Sequence, residues 1–125
     1  MTRRALAMAV AVVVTGFLAH VFAAVDVTGK WTAAFDTQIG EQRYTYTFQV
    51  KGSELTGSAV SNLGTAVIKN GKVDGDTVTF LELLDFMGML LEIPYTGKIV
   101  SEDQIDFTRQ IADFPAEKLV AKRVK

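Results

Sequence analysis

The chain has 125 residues, no cysteine and a single histidine, and its formal net charge is −1 at pH 7. The histidine, His20, lies in an N-terminal segment that we expect to be removed, so the rest of the chain has no thiol and no imidazole for Cys-His or Ser-His-Asp catalysis or for the usual zinc sites. The near balance of acidic and basic residues also gives no reason to expect nucleic acid as a partner.

Residues 1–24 have the features of a secretory signal peptide. Arg3 and Arg4 precede an apolar run, and residues 21–24 place small side chains where a signal peptidase cleaves. The alternative is a retained membrane anchor, but the apolar run is shorter than the roughly 20 residues that a membrane-spanning helix needs. We therefore predict a cleaved signal peptide and a periplasmic or secreted mature domain, residues 25–125, that does not associate with the membrane.

The predicted mature domain is mildly acidic and has no disulfide to stabilise it. Loss of Arg3 and Arg4 reduces the 13 basic residues to 11, against 14 acidic residues, so its formal charge is −3. An exported domain of this size without cysteine must obtain its stability from a well-packed core.

Apolar and polar residues alternate with period two through most of this domain. The pattern is clearest at residues 31–35 and 44–50, and turn signals such as Asn70-Gly71 and Asp74-Gly75 interrupt it at short intervals. A single helical turn is expected at residues 114–118. We predict eight strands, near residues 28–37, 42–51, 54–61, 65–73, 77–86, 89–99, 105–111 and 117–124.

Eight strands joined in sequence by short turns predict an antiparallel up-and-down barrel. Pairing of the first strand with the last removes the exposed sheet edges and leaves an interior for side chains or one small ligand. The alternative is an open sandwich of two sheets, whose crossover connections need longer loops than this sequence offers. The expected fold class is therefore all-β, with one barrel domain.

Two opposite charges are predicted to face the interior. A two-residue turn at residues 87–88 places Glu82 on the inward face of its strand. The same register, continued into the next hairpin, places Arg109 beside Tyr95 on that face. Glu82 and Arg109 then lie on strands about 10 Å apart in backbone, a distance that their long side chains can close.

This pair is the strongest functional lead in the sequence, and it has two interpretations. One is a ligand clamp in which Glu82 and Arg109 bind the polar end of a small molecule and Tyr46 and Tyr95 supply hydroxyl groups. The other is a buried ion pair with a structural role only. If the barrel is an enzyme, Glu82 is the candidate general acid or base and Arg109 the candidate group that stabilises an anion.

The size of any cavity depends on how many aromatic side chains fill the interior. Gly57, Ala59 and Gly97 are predicted to face inward and to leave room for a ligand. The segment Asp74-Gly75-Asp76 has some likeness to a calcium loop, but a hairpin turn explains it, so we predict no metal and no cofactor.

The outer face of the hairpin around residues 87–88 is apolar as well. Leu81, Leu83 and Leu90 lie on the face opposite Glu82, and we expect them to form a homodimer interface or a docking surface. The alternative is that the segment 114–118 covers them.

At the start of the first predicted strand, Gly29-Lys30-Trp31 resembles the opening Gly-x-Trp element of the calycin superfamily of lipocalins, fatty-acid-binding proteins and avidins. The resemblance implies that Arg123, near the end of the last strand, packs over Trp31 as a structural pair. A closer likeness, to a group of small exported bacterial barrel domains, covers nearly the whole mature chain. It is carried by the segments 29–37, 72–76, 95–98 and 121–123. Relatives of that group occur alone or attached to carbohydrate-active enzymes, which implies a sugar-related role.

Three functions therefore remain open. The first is a barrel that binds a small, partly apolar ligand, such as a sugar derivative or a lipid-like metabolite. The second is a cofactor-free enzyme, a glycoside-processing hydrolase or lyase or an isomerase, that uses Glu82 as its proton carrier. The third is an accessory docking domain with a filled core.

Overall fold

Residues 25–125, the part of the chain that the computed structural model describes, form one closed antiparallel barrel of eight strands. The strands are β1 (Gly29–Thr37), β2 (Gly40–Lys51), β3 (Glu54–Ser61), β4 (Gly64–Asp74), β5 (Thr77–Phe86), β6 (Met89–Ser101), β7 (Gln104–Arg109) and β8 (Glu117–Arg123). Each strand pairs with the next, and β8 pairs with β1, so the predicted all-β barrel is confirmed. The predicted signal peptide, residues 1–24, lies outside the described residues.

Short turns fix the register of the barrel. All connections between these strands contain two residues, except the one at 110–116. In the turn between β5 and β6, Met87 and Gly88 have φ angles of 54° and 84°, a left-handed conformation typical of two-residue hairpins. This hairpin pairs Glu82 with Ile93 and confirms the predicted inward position of Glu82, which is buried. The next hairpin confirms the predicted pairing of Tyr95 with Arg109.

Two local predictions near the C-terminus are wrong. β7 ends at Arg109 instead of residue 111, because the chain leaves the sheet at 110 and Ala112 adopts a φ of 46°. The helical turn expected at 114–118 is absent from the described residues. The Phe114 N–H instead closes a turn on the Ile111 carbonyl, and β8 begins at Glu117.

The Asn70-Gly71 turn signal marks a bulge inside β4. The pairing of β4 with β5 shifts register between Lys69 and Lys72, and Asn70 has a φ of 55°. A Cβ atom on Gly71 would collide with the Leu55 carbonyl, so this position needs glycine. The Asn70-Gly71 pair therefore marks a β-bulge instead of a turn, and β4 continues through it.

Aromatic side chains fill the centre of the barrel. The cluster comprises Tyr46, Phe48, Phe80, Tyr95 and Phe107, with neighbouring ring centroids from 4.4 Å (Phe80 and Tyr95) to 6.4 Å (Phe48 and Phe107) apart. The room expected at Gly97 is occupied by Phe107, whose ring lies where a Cβ atom would be, and a Cβ atom on Gly57 would meet the Thr47 backbone carbonyl. Ala59 is buried in the same core. The centre of the barrel is therefore a packed core.

The seam that closes the barrel joins β1 and β8 through two registered pairs among the described residues, Trp31 with Arg123 and Thr32 with Lys122. The Arg123 guanidinium lies 4.5 Å from the centroid of the Trp31 ring, a cation–π geometry, so the predicted adjacency is confirmed. Arg123 also donates hydrogen bonds to the carbonyls of Thr28 and Asp26, at 2.9 and 2.7 Å. One side chain thus ties the end of β8 to the segment that precedes β1.

Candidate functional site

Inward-facing positions of four strands bring a polar network into the apolar core. Tyr44 and Tyr46 come from β2, Glu82 from β5, Tyr95 from β6 and Arg109 from β7. Glu82 has no exposed surface and Arg109 is 3% exposed, so both charged groups are buried. Such groups are tolerated in a core only when they are paired and hydrogen-bonded.

The network satisfies its charged groups almost completely. Tyr44 donates to Glu82 Oε2 at 2.8 Å, and Tyr95 donates to Glu82 Oε1 at 2.7 Å. Arg109 Nη1 donates to the oxygens of these same two tyrosines, at 3.0 and 2.9 Å, and lies 3.5 Å from Glu82 Oε1. Since the one hydroxyl hydrogen of Tyr95 is given to Glu82, Tyr46 donates to Tyr95, with the two oxygens 2.9 Å apart. Every hydroxyl group in the network therefore has a partner.

Burial dominates the electrostatics of these groups. It raises the pKa of Glu82, while the hydroxyls of Tyr95 and Tyr44 and the charge of Arg109 partly oppose the rise. Burial likewise raises the pKa of Tyr44 to about 12 and the pKa values of Tyr46 and Tyr95 well above 10.0. The tyrosines are therefore held as neutral hydroxyl groups at physiological pH.

A cavity of about 380 Å³ lies at one end of the barrel, beyond this network. This is the end that carries the turns after β1, β3 and β5 and the longer connection 110–116. The walls are mostly apolar, and the lining residues are Thr37, Gln38, Ile39, Gln42, Leu63, Leu84, Phe86, Met89, Leu91, Arg109, Ile111, Ala112, Phe114 and Glu117. The volume is within the range of small-molecule sites, which are about 300–1,000 Å³.

Five of the lining residues are polar. Thr37 and Gln38 belong to the end of β1 and the turn after it, and the other three are Gln42, Arg109 and Glu117. Arg109 Nε donates to Glu117 Oε1 at 2.7 Å, which orients the guanidinium. Its Cζ lies 4.7 Å from the ring centroid of Phe35, the residue that pairs with Gln42 across the sheet. The three groups therefore lie at the same level of the barrel, and we call them the cavity floor.

Gln42 is the unusual member of the cavity floor. It is 2% exposed, and its Oε1 atom is buried without a hydrogen-bond partner among residues 25–125. A buried acceptor without a partner costs about 1–3 kcal/mol. Such an atom is typical of a site that is completed by a ligand or a water molecule.

The structure brings together the four residues that the sequence suggested for a ligand clamp, but it places only one of them at the cavity. Tyr46, Glu82, Tyr95 and Arg109 belong to one network, and of these Arg109 lines the cavity. Glu82, the candidate catalytic acid or base, is not a lining residue. The four residues thus form one hydrogen-bonded network, and its Arg109 end faces the cavity.

Three residues of the network and the cavity floor were not identified from the sequence: Gln42, Tyr44 and Glu117. Each had a signal. Gln42 begins the alternation that continues through Tyr44 and Tyr46, so the same face points inward. Glu117 pairs with Arg109 across β7 and β8, a register that follows once the length of the connection 110–116 is known.

The other predicted features lie away from the cavity. Leu81 and Leu83 are half-buried on the outer face of β5, and Leu90 is 62% exposed. The Asp74-Gly75-Asp76 segment is a hairpin turn between β4 and β5. Within residues 25–125, no three acidic residues cluster in a way that would hold a metal ion. The same residues contain no helix that is long and apolar enough to cross a membrane.

Comparisons with known proteins find no matching family, no similar curated protein and no similar solved structure. The class of this protein is therefore defined by its own geometry. It is a small closed barrel of eight antiparallel strands, with an aromatic core, an internal Tyr-Glu-Arg network and an apolar cavity at one end.

Proposed function

We propose that this protein is an exported barrel that binds a small, partly apolar molecule in the cavity at its end. The observation that carries the proposal is the cavity itself, which combines apolar walls with a few convergent polar groups, as small-molecule sites do. The apolar walls supply affinity, and the cavity floor orients the polar part of the ligand.

The rim of the cavity supports this proposal. Ile39, Met89 and Phe114, which come from three different connections or strand ends, line the cavity and are 60%, 65% and 51% exposed. Met87, in the turn between β5 and β6, is 90% exposed. Flexible methionine side chains and loop residues at an opening can rearrange around an entering apolar molecule.

The geometry favours binding over the other two functions that the sequence left open. Catalysis by Glu82 is the weaker proposal, because this carboxylate is held by Tyr44 and Tyr95 and does not line the cavity. A docking domain with a filled core accounts for the aromatic centre but not for the cavity or for the unpartnered Gln42 oxygen.

Export and a sugar-related ligand are further parts of the proposal. Export rests on the signal-peptide pattern of residues 1–24, and its test is N-terminal sequencing of the product after expression of the full chain in a bacterium. Cleavage after Ala24, with the product in the periplasm or medium, is the expected result. The likeness to barrel domains that accompany carbohydrate-active enzymes makes glycosides with an apolar aglycone a reasonable part of the ligand panel.

The direct test is native mass spectrometry of residues 25–125 with alkyl glycosides, fatty alcohols, fatty acids and aromatic metabolites. We expect a retained adduct of one ligand class. Leu91 lines the cavity and its neighbour Leu90 faces outward, so Leu91→Trp should abolish the adduct and Leu90→Trp should keep it. The proposal is wrong if no compound is retained, or if Leu91→Trp leaves binding unchanged.

A further inference from the structure

We infer that the ligand presents to the cavity floor a neutral group that both donates and accepts hydrogen bonds, a hydroxyl or an amide, and not a carboxylate. This inference rests on the proposed function and specifies the ligand class of the same cavity. It follows from three properties of the cavity floor within residues 25–125: Gln42 Oε1 lacks a hydrogen-bond donor, Arg109 Nη2 lacks an acceptor, and the charges of Arg109 and Glu117 already balance.

Gln42 needs a donor. Its Oε1 atom is a buried acceptor with no partner within the described part of the chain, and the side chain lines the cavity. A ligand hydroxyl or N–H group would satisfy it. In the orientation that the Gln42 amide has in this structure, a carboxylate or an ether oxygen has no hydrogen to donate to Oε1 and would leave this atom unpaired.

Arg109 needs an acceptor. The hydrogen bonds of its guanidinium to residues within 25–125 leave from Nε, to Glu117, and from Nη1, to the tyrosines and Glu82. Nη2 takes part in none of them, although guanidinium N–H groups are strong donors. A ligand oxygen that accepts from Nη2 while its hydrogen is given to Gln42 would satisfy both residues.

The charge at the cavity floor disfavours an anion. Arg109 is the positive group, and it is already flanked by the carboxylates of Glu82, 3.5 Å away, and Glu117, 2.7 Å away. The charged residues that line the cavity are Arg109 and Glu117, so their charges cancel at its surface. A ligand carboxylate would add a further negative charge to a poorly solvated site, where like charges repel strongly.

The remaining walls define the rest of the ligand. Leu84, Phe86, Leu91 and Ile111 surround the space between the cavity floor and the opening. The ligand class is therefore an apolar body with a neutral hydroxyl or amide at its inner end. Fatty alcohols, apolar amides and the hydroxyl groups of alkyl glycosides meet this description.

The test uses four ten-carbon compounds that differ in the head group: decanol, decanamide, decyl methyl ether and decanoate. Binding to residues 25–125 is measured by titration calorimetry at neutral pH, where decanoate is ionised. We expect decanol and decanamide to bind at least about tenfold more tightly than the ether and the carboxylate, since a hydrogen bond to a buried group changes affinity by about this factor.

The matched variants are Gln42→Leu and Gln49→Leu, because Gln49 lies on the exposed face of the same strand. Gln42→Leu should weaken decanol binding about tenfold and abolish the preference for decanol over the ether. It should also raise the Tm of the ligand-free protein, since it removes an unpartnered buried acceptor. Gln49→Leu should leave decanol binding unchanged. A purely structural Gln42 would show the opposite sign in Tm, with a lower value for the leucine variant.

The outcomes separate this inference from the proposed function. Decanoate or the ether binding as tightly as decanol would overturn the inference and leave ligand binding intact. A lower Tm for Gln42→Leu would also overturn it. If none of the four compounds binds but another compound of the broader panel does, the inference is wrong and the proposed function stands. If no compound of either set binds, both are wrong.

Discussion

Single residues decide where polarity is allowed inside this barrel. Tyr44, Tyr95 and Arg109 together satisfy the buried carboxylate of Glu82, and each hydroxyl group has a donor or acceptor role. Gln42, one step outward on the same face of β2 as Tyr44, is the exception. Period-two alternation predicts which residues face inward, but it does not predict which of them find a partner, because that depends on side-chain directions across four strands.

The tyrosine pKa values give a direct test of this network. The chain has three tyrosines, all of them buried members of the network, and burial raises the pKa of Tyr44 to about 12. We expect no phenolate absorbance from the native protein at about pH 10, the value near which unperturbed tyrosines titrate. The same protein in denaturant should ionise near that pH. A native tyrosine that titrates normally, followed by ultraviolet difference absorbance, would show that its hydroxyl is open to water.

Glu82 should give the folded protein a pH-dependent stability. Burial raises its pKa above the ordinary value of 4.5, so the folded state binds a proton more tightly than the unfolded state does. This contribution to the free energy of unfolding is fully present below pH 4.5 and is lost as the pH rises through the folded-state pKa. We expect the wild type to lose this stability as the pH rises, and we expect no such loss in Glu82→Gln, because its amide has no proton to release.

The measurement is urea denaturation of both proteins from about pH 4 to about pH 8, a range that contains the titration of raised carboxyl groups. Because other groups titrate in the same range, the prediction concerns the difference in the free energy of unfolding between wild type and Glu82→Gln at each pH. Glu117→Gln is the matched control, since it alters the other carboxylate bonded to Arg109 and should keep the Glu82 transition. Parallel pH profiles for wild type and Glu82→Gln would contradict the prediction.

The positions of strands and turns can be predicted from the sequence better than the contacts between side chains. The hairpin at 87–88 is fixed by its two-residue turn, so the inward position of Glu82 follows from local chemistry alone. The end of β7 cannot be predicted from local chemistry in this way, because the alternation continues to Ile111 while the backbone leaves the sheet after Arg109. The alternation indicates which side chains are buried, and Ile111 is partly buried although it lies outside the strand.

Several contacts at the seam between β1 and β8 are made by one side chain, that of Arg123. Arg123 stacks on Trp31 and donates to the Thr28 and Asp26 carbonyls, while the strands share two registered pairs in the described part of the chain. We expect Arg123→Ala to lower the free energy of unfolding by roughly 2 kcal/mol, from the lost cation–π contact and hydrogen bonds.

Urea denaturation measures this effect, and the fluorescence of Trp31, the single tryptophan of the chain, reports it. Arg123→Lys should recover only part of the loss, because an ammonium group cannot reproduce the planar fork of donors. Lys122→Ala, at the neighbouring exposed position, is the control and should change stability little. An unfolding free energy equal to that of the wild type for Arg123→Ala would show that the seam does not depend on this residue.

The whole molecule divides into a packed centre and an open end, and this division was only partly predictable. The aromatic residues that fill the centre are evident from their alternation, but the small residues expected to leave space there do not do so. The cavity instead lies where three tight turns and the connection 110–116 meet. Its position depends on how connections from distant parts of the chain pack together, which no local pattern determines.

We also propose that the outer surface of the barrel forms a homodimer interface through Leu81, Leu83 and Leu90. Leu90 is 62% exposed, Val67 is 61% exposed, and Val67 pairs directly with Leu83 across β4 and β5. Leu83 and Leu90 are diagonal neighbours across β5 and β6, so these side chains form a continuous apolar strip on three adjacent strands. Burial of such a strip against a second copy removes apolar surface from water.

We expect sedimentation velocity of residues 25–125 at micromolar concentration to give twice the monomer mass, because a two-fold dimer would bury this apolar strip against the same strip of a second copy. Leu90→Lys should yield a monomer with unchanged unfolding, since position 90 is already exposed and a charge there cannot be buried without cost. Val120→Lys places the same charge at an exposed apolar position of β8, which is not one of the strands that carry the strip, and should leave the dimer intact. A monomeric mass for the wild type at every concentration tested would contradict the homodimer.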